Sequence, residues 1–257
     1  MIVHPVTLGE EVESAEILPL SDFHIGDPGF NERALKDYLA YILGGENRFI
    51  LLNGDILNNA TKASVSDIYA ETMQPRRQIE HAADLLAPVA DRILGIVSGN
   101  HERRTDKESG ISPVEILAEK LNVPYFGIEA LLKIRLGKNI HWRQTYYTLY
   151  ATHGWGGGRL RGGKVNNLER LKNIVLCDVY VMAHTHGQVS FPSVIYVPET
   201  KNDAVTERVM WFINSGSFLD RGEGYAAAKG YEPQVLGCPI IELSGKGRKI
   251  TVIQGRV

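Results

Sequence analysis

The chain has 257 residues, 44% of them hydrophobic and 23% charged, which is ordinary globular usage and excludes disordered and fibrous classes. Lys and Arg number 28 against 30 Asp and Glu, a formal net charge of -2, so no global field recruits nucleic acid or an anionic membrane and any basic site must be local. No apolar run approaches the ~18 to 20 residues of a membrane span, and Met1 to Glu16 lacks a basic segment followed by an apolar core, so a cytoplasmic location is expected.

The cysteines agree with that location: Cys177 lies in the apolar run Ile174 to Met182 and Cys238 beside Pro239, so each reads as a buried or loop thiol. In chain order, Ala15 to Leu20 reads as a strand ending in the polar loop Ser21 to Gly26. Asn31 to Leu43 carries Leu35, Leu39, Ile42 and Leu43 at helical spacing, with Asn31 as cap and Gly44-Gly45 as stop. Arg48 to Leu52 is a second strand, ending in Asn53-Gly54-Asp55. Ser64 to Leu86 is helical in composition, broken or kinked at Pro75, and Pro88 opens a turn. Arg92 to Val97 is a third strand, and it delivers the turn Gly99-Asn100-His101-Glu102. Pro113 to Leu121 is a helix capped by Ser112.

Beyond Pro124 the texture becomes β-rich, with strands at Leu131 to Leu136, Ile140 to Thr145 and Tyr146 to Thr152, a turn at Gly137 to Asn139, and His153 at the end. A glycine-rich segment runs from Gly154 to Lys164, and Asn166 to Lys172 is a short basic helix. Val179 to Met182 is a strand ending in His184-x-His186. Val194 to Val197, Val209 to Ile213, Ile240 to Leu243 and Ile250 to Ile253 complete a second set. Alternating strands and helices followed by strands predict an α/β layered architecture with two sheets, and the absence of a linker, repeat or low-complexity tract predicts a single domain over residues 1 to 257.

Five strand ends carry chemistry: Asp22-x-His24, Gly54-Asp55, Gly99-Asn100-His101-Glu102, His153, and His184-x-His186. Taken singly, each has a plain explanation, since a DxH caps a helix and a Gly-Asp is a common turn. Five in succession, each directly after an apolar run, point to one site. Imidazoles, carboxylates and an amide oxygen suit divalent first-row metals such as Mn, Fe, Ni or Zn, with Mn favoured. The absence of cysteine argues against a closed structural zinc site. Seven ligands are too many for one ion with open positions; two ions about 3.5 to 4 Å apart sharing a carboxylate fit better, the arrangement that stabilises attacking and leaving oxygens in phosphoryl chemistry.

This ordered series, spanning residues 22 to 186, resembles the calcineurin-like metallophosphoesterase family. The resemblance implies a four-layer αββα sandwich with two mixed sheets and a dinuclear site at their edge. It implies that Asp22, His24 and His186 hold one metal, that Asn100, His153 and His184 hold the other, and that Asp55 bridges. His101 is left for transition-state stabilisation and protonation of the leaving oxygen, with a metal-bridging hydroxide as nucleophile. The segment Asn214 to Leu243 resembles bacterial and bacteriophage members.

Asn58 stands where protein phosphatases of the superfamily carry the second Asp of Gly-Asp-x-x-Asp, and its side-chain amide would accept from His101. That departure, with the His-x-His ending, leans the expectation toward a phosphodiesterase and first toward a nuclease, with a phosphomonoesterase for nucleotides or phosphoproteins as the alternative and a catalytically silent binding module as a third. Gly158 to Val165 is nearly a Walker loop, but Val165 replaces the hydroxyl that would hold magnesium, so nucleoside triphosphatase activity is rejected. Six glycines in Gly154 to Gly163 suggest instead a mobile lid, with Arg159, Arg161 and Lys164 gripping substrate phosphate and Trp155 stacking a base. Arg103 and Arg104 are further candidate phosphate contacts.

Overall fold

The computed structural model describes residues 1–62, 64, 68–156, 160–199, 203–222 and 232–255. The strands are β1 (Val3–Thr7), β2 (Ser14–Leu20), β3 (Arg48–Asn53), β4 (Ile93–Val97), β5 (Glu129–Leu136), β6 (Thr145–Thr152), β7 (Val179–Met182), β8 (Val189–Pro198), β9 (Val205–Asn214), β10 (Ile240–Ser244) and β11 (Ile250–Ile253). The helices are α1 (Glu32–Leu43), α2 (Pro75–Leu86), α3 (Asn100–Ser109), α4 (Pro113–Leu121) and α5 (Arg161–Arg170). Two mixed sheets form, one in the order β11-β10-β2-β3-β4 and one in the order β1-β5-β6-β7-β9-β8.

Side-chain alternation along the strands builds three apolar layers. Leu18, Leu20, Ile50 and Leu52 point outward from the five-stranded sheet and bury against Leu35 and Ile42 of α1, Ala82 and Leu86 of α2, and Leu117 of α4. Their neighbours Ile17 and Leu51 point inward, where they meet Leu132, Ile134, Leu149 and Val181 of the facing sheet. On the outer face of that sheet, Tyr150, Tyr180, Met182 and Phe212 pack under Leu168 of α5 and the adjoining Leu171. Each such side chain, fully buried, stabilises the fold by roughly 1.5–3 kcal/mol. The result is the four-layer αββα sandwich.

Several boundaries follow from local chemistry. Asn31 caps α1 by accepting from the Ala34 amide at 2.9 Å, and Ser112 caps α4 by accepting from Glu115 at 3.3 Å. Among the described residues the helix expected from Ser64 begins only at Pro75, because proline fits a first turn and not a helix interior. The strand expected at Ile140 to Thr145 is also absent. Ile140 and Trp142 lie exposed in the β5–β6 connection, and the Asn139 side chain accepts from the His141 and Arg143 amides to close a turn.

The glycine-rich segment divides. Gly157, Gly158 and Arg159 lie outside the described residues, so the expected Arg159 contact has no structural description. Arg161 to Lys164 belong to the first turn of α5, which starts earlier than the basic helix expected from Asn166. Two glycines there cost about 1 kcal/mol each against alanine, offset by burial of Leu168 and Leu171. No helix among the described residues is long and apolar enough to cross a membrane.

Candidate metal centre

Five strands aim their C-terminal ends at one place. Asp22 and His24 follow β2, Asp55 follows β3, and Asn100 and His101 follow β4, three parallel neighbours in one sheet. His153 follows β6, and His184 and His186 follow β7, parallel neighbours in the other. Asn53 joins the two edges: its side-chain amide donates to Thr152 O at 3.0 Å, and its carbonyl accepts from His153 Nδ1 at 2.8 Å. That bond leaves His153 Nε2 facing the site.

The loops adopt conformations that side chains rarely take. Asp22, His24, Asp55, His184 and His186 all have positive φ, between 50° and 69°. Non-glycine residues held there are strained by about 1–3 kcal/mol each and persist only where surroundings enforce them. Glycines permit the crowding: a Cβ on Gly54 would meet the Gly99 backbone and the His153 ring, and one on Gly99 would strike Asp55.

Glu102 enforces much of this. Fully buried, it accepts from Gly99 N at 3.0 Å and Asp55 N at 3.1 Å through one oxygen, and from Leu57 N at 3.0 Å through the other. The quartet is thus the start of α3 rather than a free turn, with Gly99 as cap and Glu102 reaching back to it. Burial, then the charge of Asp55, pushes the Glu102 carboxyl up to about 7.

The ligand atoms converge in three overlapping groups. Asp22 Oδ1 lies 3.2 Å from His186 Nε2 and 3.7 Å from His24 Nε2, and the two imidazole Nε2 atoms are 3.2 Å apart. Asp55 Oδ2 lies 3.1 Å from His153 Nε2 and 3.9 Å from His24 Nε2. Asn100 Oδ1 sits 3.1 Å from His153 Nε2 and 2.7 Å from His184 Nδ1. Asp22-His24-His186, His24-Asp55-His101 and Asp55-His153-His184 each lie close enough to hold a metal, with Asp55 and His24 linking the first and last.

The donors fit cations. Asp22 Oδ2 accepts from Ser21 Oγ at 2.7 Å and His184 N at 3.2 Å, while Oδ1 is buried and accepts no hydrogen bond. A buried carboxylate oxygen left without a hydrogen bond, with two imidazole Nε2 atoms converging on it, would be satisfied by a cation set among the three. Burial alone would raise the Asp22 and Asp55 carboxyls; the imidazoles overcome it, His186 foremost at Asp22 and His153 at Asp55, and hold both well below the usual range. His153 is pushed up to about 10, because the charge of Asp55 outweighs burial. The two acids are therefore anionic at neutral pH, as metal ligands must be.

His101 stands apart. Its Nδ1 donates to the Asn58 carbonyl at 2.7 Å, and its Nε2 lies 3.8 Å from Asp55 Oδ2. The expected contact with the Asn58 side chain is not made: that amide points away and donates to Glu71 Oε1 at 2.6 Å. Burial pushes His101 down to about 3, so by itself the ring is neutral at neutral pH.

The candidate substrate cations are arranged unevenly. Lys164 is buried, its Nζ packed against Gly187 directly after His186, while Arg161 is exposed. Neither rides a free loop, which corrects that part of the lid expectation. Arg103 is half-buried, and Arg104 Nη1 is buried without a hydrogen-bond partner among the described residues.

A sequence profile described as calcineurin-like phosphoesterase matches residues 20–188, well over half of the chain and every residue of the site. The chain belongs to the calcineurin-like phosphoesterase family. No curated protein sequence matches this family member significantly. Solved structures similar to it include a predicted phosphoesterase from Streptococcus pneumoniae, 15% identical over 93% of this chain and 88% of that one, with a TM-score of 0.40. Vps29 from Entamoeba histolytica, solved with zinc, is 13% identical over 92% of this chain and 96% of its own, TM-score 0.38. GAP50 of Plasmodium, titled the anchor in the inner membrane complex, is 14% identical over 93% and 83%, TM-score 0.43. At such distances these likenesses carry no argument about activity.

Proposed function

We propose that this chain is a cytoplasmic, two-metal phosphodiesterase, carried on one domain, with nucleic acid as the substrate class ranked first and His101 as the proton donor. The observation that carries the reading is the position of His101. It lies within reach of Asp55 and close enough to His24 and Asp55 to group with them, yet its Nδ1 is tied to a carbonyl, and Asp22-His24-His186 and Asp55-His153-His184 each form without it.

Asp22, His24 and His186 would hold one ion, Asn100, His153 and His184 the other, and Asp55 both. Manganese heads the candidates Mn, Fe, Ni and Zn. When bound, the ions supply Lewis acidity toward the phosphoryl oxygens and an activated water. The rest falls to the chain. With Nδ1–H fixed, His101 presents Nε2 to the leaving oxygen, and the bound phosphate anion favours the protonated ring that burial alone disfavours. Lys164 beside Gly187 and Arg104 on α3 flank the cluster as cations for a second phosphate, which a diester chain supplies and a small monoester does not.

Turnover of bis-p-nitrophenyl phosphate, p-nitrophenyl phosphate and single-stranded DNA with added manganese tests this reading. Cleavage of both diesters is expected. Cleavage of the monoester alone would overturn the diester preference, and no activity in metal-loaded protein would favour a binding module.

A further inference from the structure

The structure assigns Glu71 as a positioning residue for His101, an inference that rests on His101 being the proton donor. The carboxylate absent from position 58 stands one hydrogen bond further back. Asn58 O, which takes the His101 Nδ1 hydrogen, belongs to a peptide unit fastened on every side. The Asn58 amide donates to Ile25 O at 2.9 Å, and the Asn58 side chain donates to Glu71 Oε1 at 2.6 Å. The next amide, Asn59 N, donates to Gln78 Oε1 at 2.8 Å, and the one after, Ala60 N, returns to Glu71 Oε1 at 3.2 Å.

Gln78 is fully buried, donates to Met73 O at 3.0 Å and also to Glu71 Oε2. Glu71 thus accepts from three donors on two segments, the Asn58–Ala60 turn and α2, and two of these donors bracket the carbonyl that fixes the ring. Asn59, held at a φ of 47°, turns the chain so that its own side chain donates to His101 O at 3.2 Å and Thr105 Oγ1 at 2.6 Å. Among the described residues no metal ligand hydrogen-bonds to Glu71; its acceptors hold the Asn58–Ala60 turn and Gln78, and its Oε2 lies beside Gly26 in the loop that follows His24.

A carboxylate in direct contact would favour imidazolium; a carbonyl held by a remote carboxylate fixes the ring's direction without adding charge. Glu71 therefore acts on how well Nε2 is aimed. In the step itself the bond from phosphorus to the leaving oxygen breaks as the proton on Nε2 passes to that oxygen, so the effect shows only where the departing oxygen needs a proton.

The test compares two substrates in metal-loaded protein: bis-p-nitrophenyl phosphate, whose phenolate leaves unaided, and a dithymidine dinucleotide, whose alkoxide does not. Glu71→Ala is expected to lower kcat on the dinucleotide about 10–100-fold, the range for groups that orient a functional side chain from behind, with bis-p-nitrophenyl phosphate turnover and metal content near wild type. Glu71→Gln, which keeps an acceptor for Asn58 and Ala60, should restore most of the loss. Equal losses on both substrates, or a fall in metal content, would make Glu71 structural and overturn the assignment. His101→Asn serves as the control: if it shows no difference between the substrates, the proton-donor reading fails, whereas a difference there without one in Glu71→Ala sinks only the Glu71 inference. Should Glu71→Ala fail to fold, Asn58→Ala severs the same link from the other side and must show the same split.

Discussion

The two sheet edges that meet at the site are built differently. On the five-stranded side, Asp22, His24 and Asp55 are closed off, with Asp22 and Asp55 side chains 0% and 2% exposed, and Glu102 and Glu71 strap the loops from behind. On the six-stranded side, His186 is 31% exposed and Lys164 of α5 stands beside it. The closed edge holds buried carboxylates; the open edge leaves His186 reachable from solvent. Substitution of a ligand on either edge should therefore abolish metal binding, loss of the straps behind the closed edge should lower turnover or stability, and loss of the cations beside the open edge should alter KM.

The largest effect belongs to the shared acid. Asp55→Asn should cost metal affinity and activity by more than the about 100-fold typical of outer partners, measured by metal analysis and turnover; retained metal would break the proposed sharing. Next comes His101→Asn, expected to lower kcat by about 10²–10⁴-fold, the range for a positioned acid, with KM little changed. Glu102→Ala leaves three buried amides without an acceptor at about 1–3 kcal/mol each, so at least about 3 kcal/mol should be lost, read by calorimetry as a Tm lowered by roughly 6 °C or more. An unchanged Tm would remove Glu102 as a strap. On the open side, Lys164→Ala should raise KM for DNA about tenfold, or about 1.4 kcal/mol, with kcat retained. The exposed Arg161→Ala should do less, and the reverse order would move the substrate path outward.

The ligand-bearing strand ends were legible in sequence at both edges, at the closed one for a physical reason. Every ligand there follows a strand that is apolar because it is buried on both faces, so Leu18 to Leu20 and Ile50 to Leu52 announce both the strand and the residue after it. Helices α1 and α4 show caps and apolar spacing together, and their limits fall where Asn31, Gly44, Ser112 and Pro113 place them. By contrast α3 hides, since Glu102 is its only buried side chain and no apolar stripe marks it; the spacing Gly99 to Glu102 is its one signal. Strand β1 buries no side chain fully and pairs only with β5 at an edge, so His4 and Pro5 obscure it.

The largest misreading concerned Asn58. Its identity suggested a side-chain acceptor for His101, but the contact is made by its carbonyl, which every residue possesses and no sequence displays. Glu71, 13 residues on, gives no local sign of reaching back to Asn58. Networks of this kind depend on how a loop folds over a helix, and neither periodicity nor motif spacing encodes that.

The division of labour between ligands and acid is tested most directly by counting manganese ions bound per chain in His101→Asn beside wild type. His24, Asp55 and His101 lie close enough to form a ligand group of their own, so the count discriminates. Two ions in both proteins is the predicted result. Two in wild type and one in His101→Asn would make His101 a ligand and contradict the account.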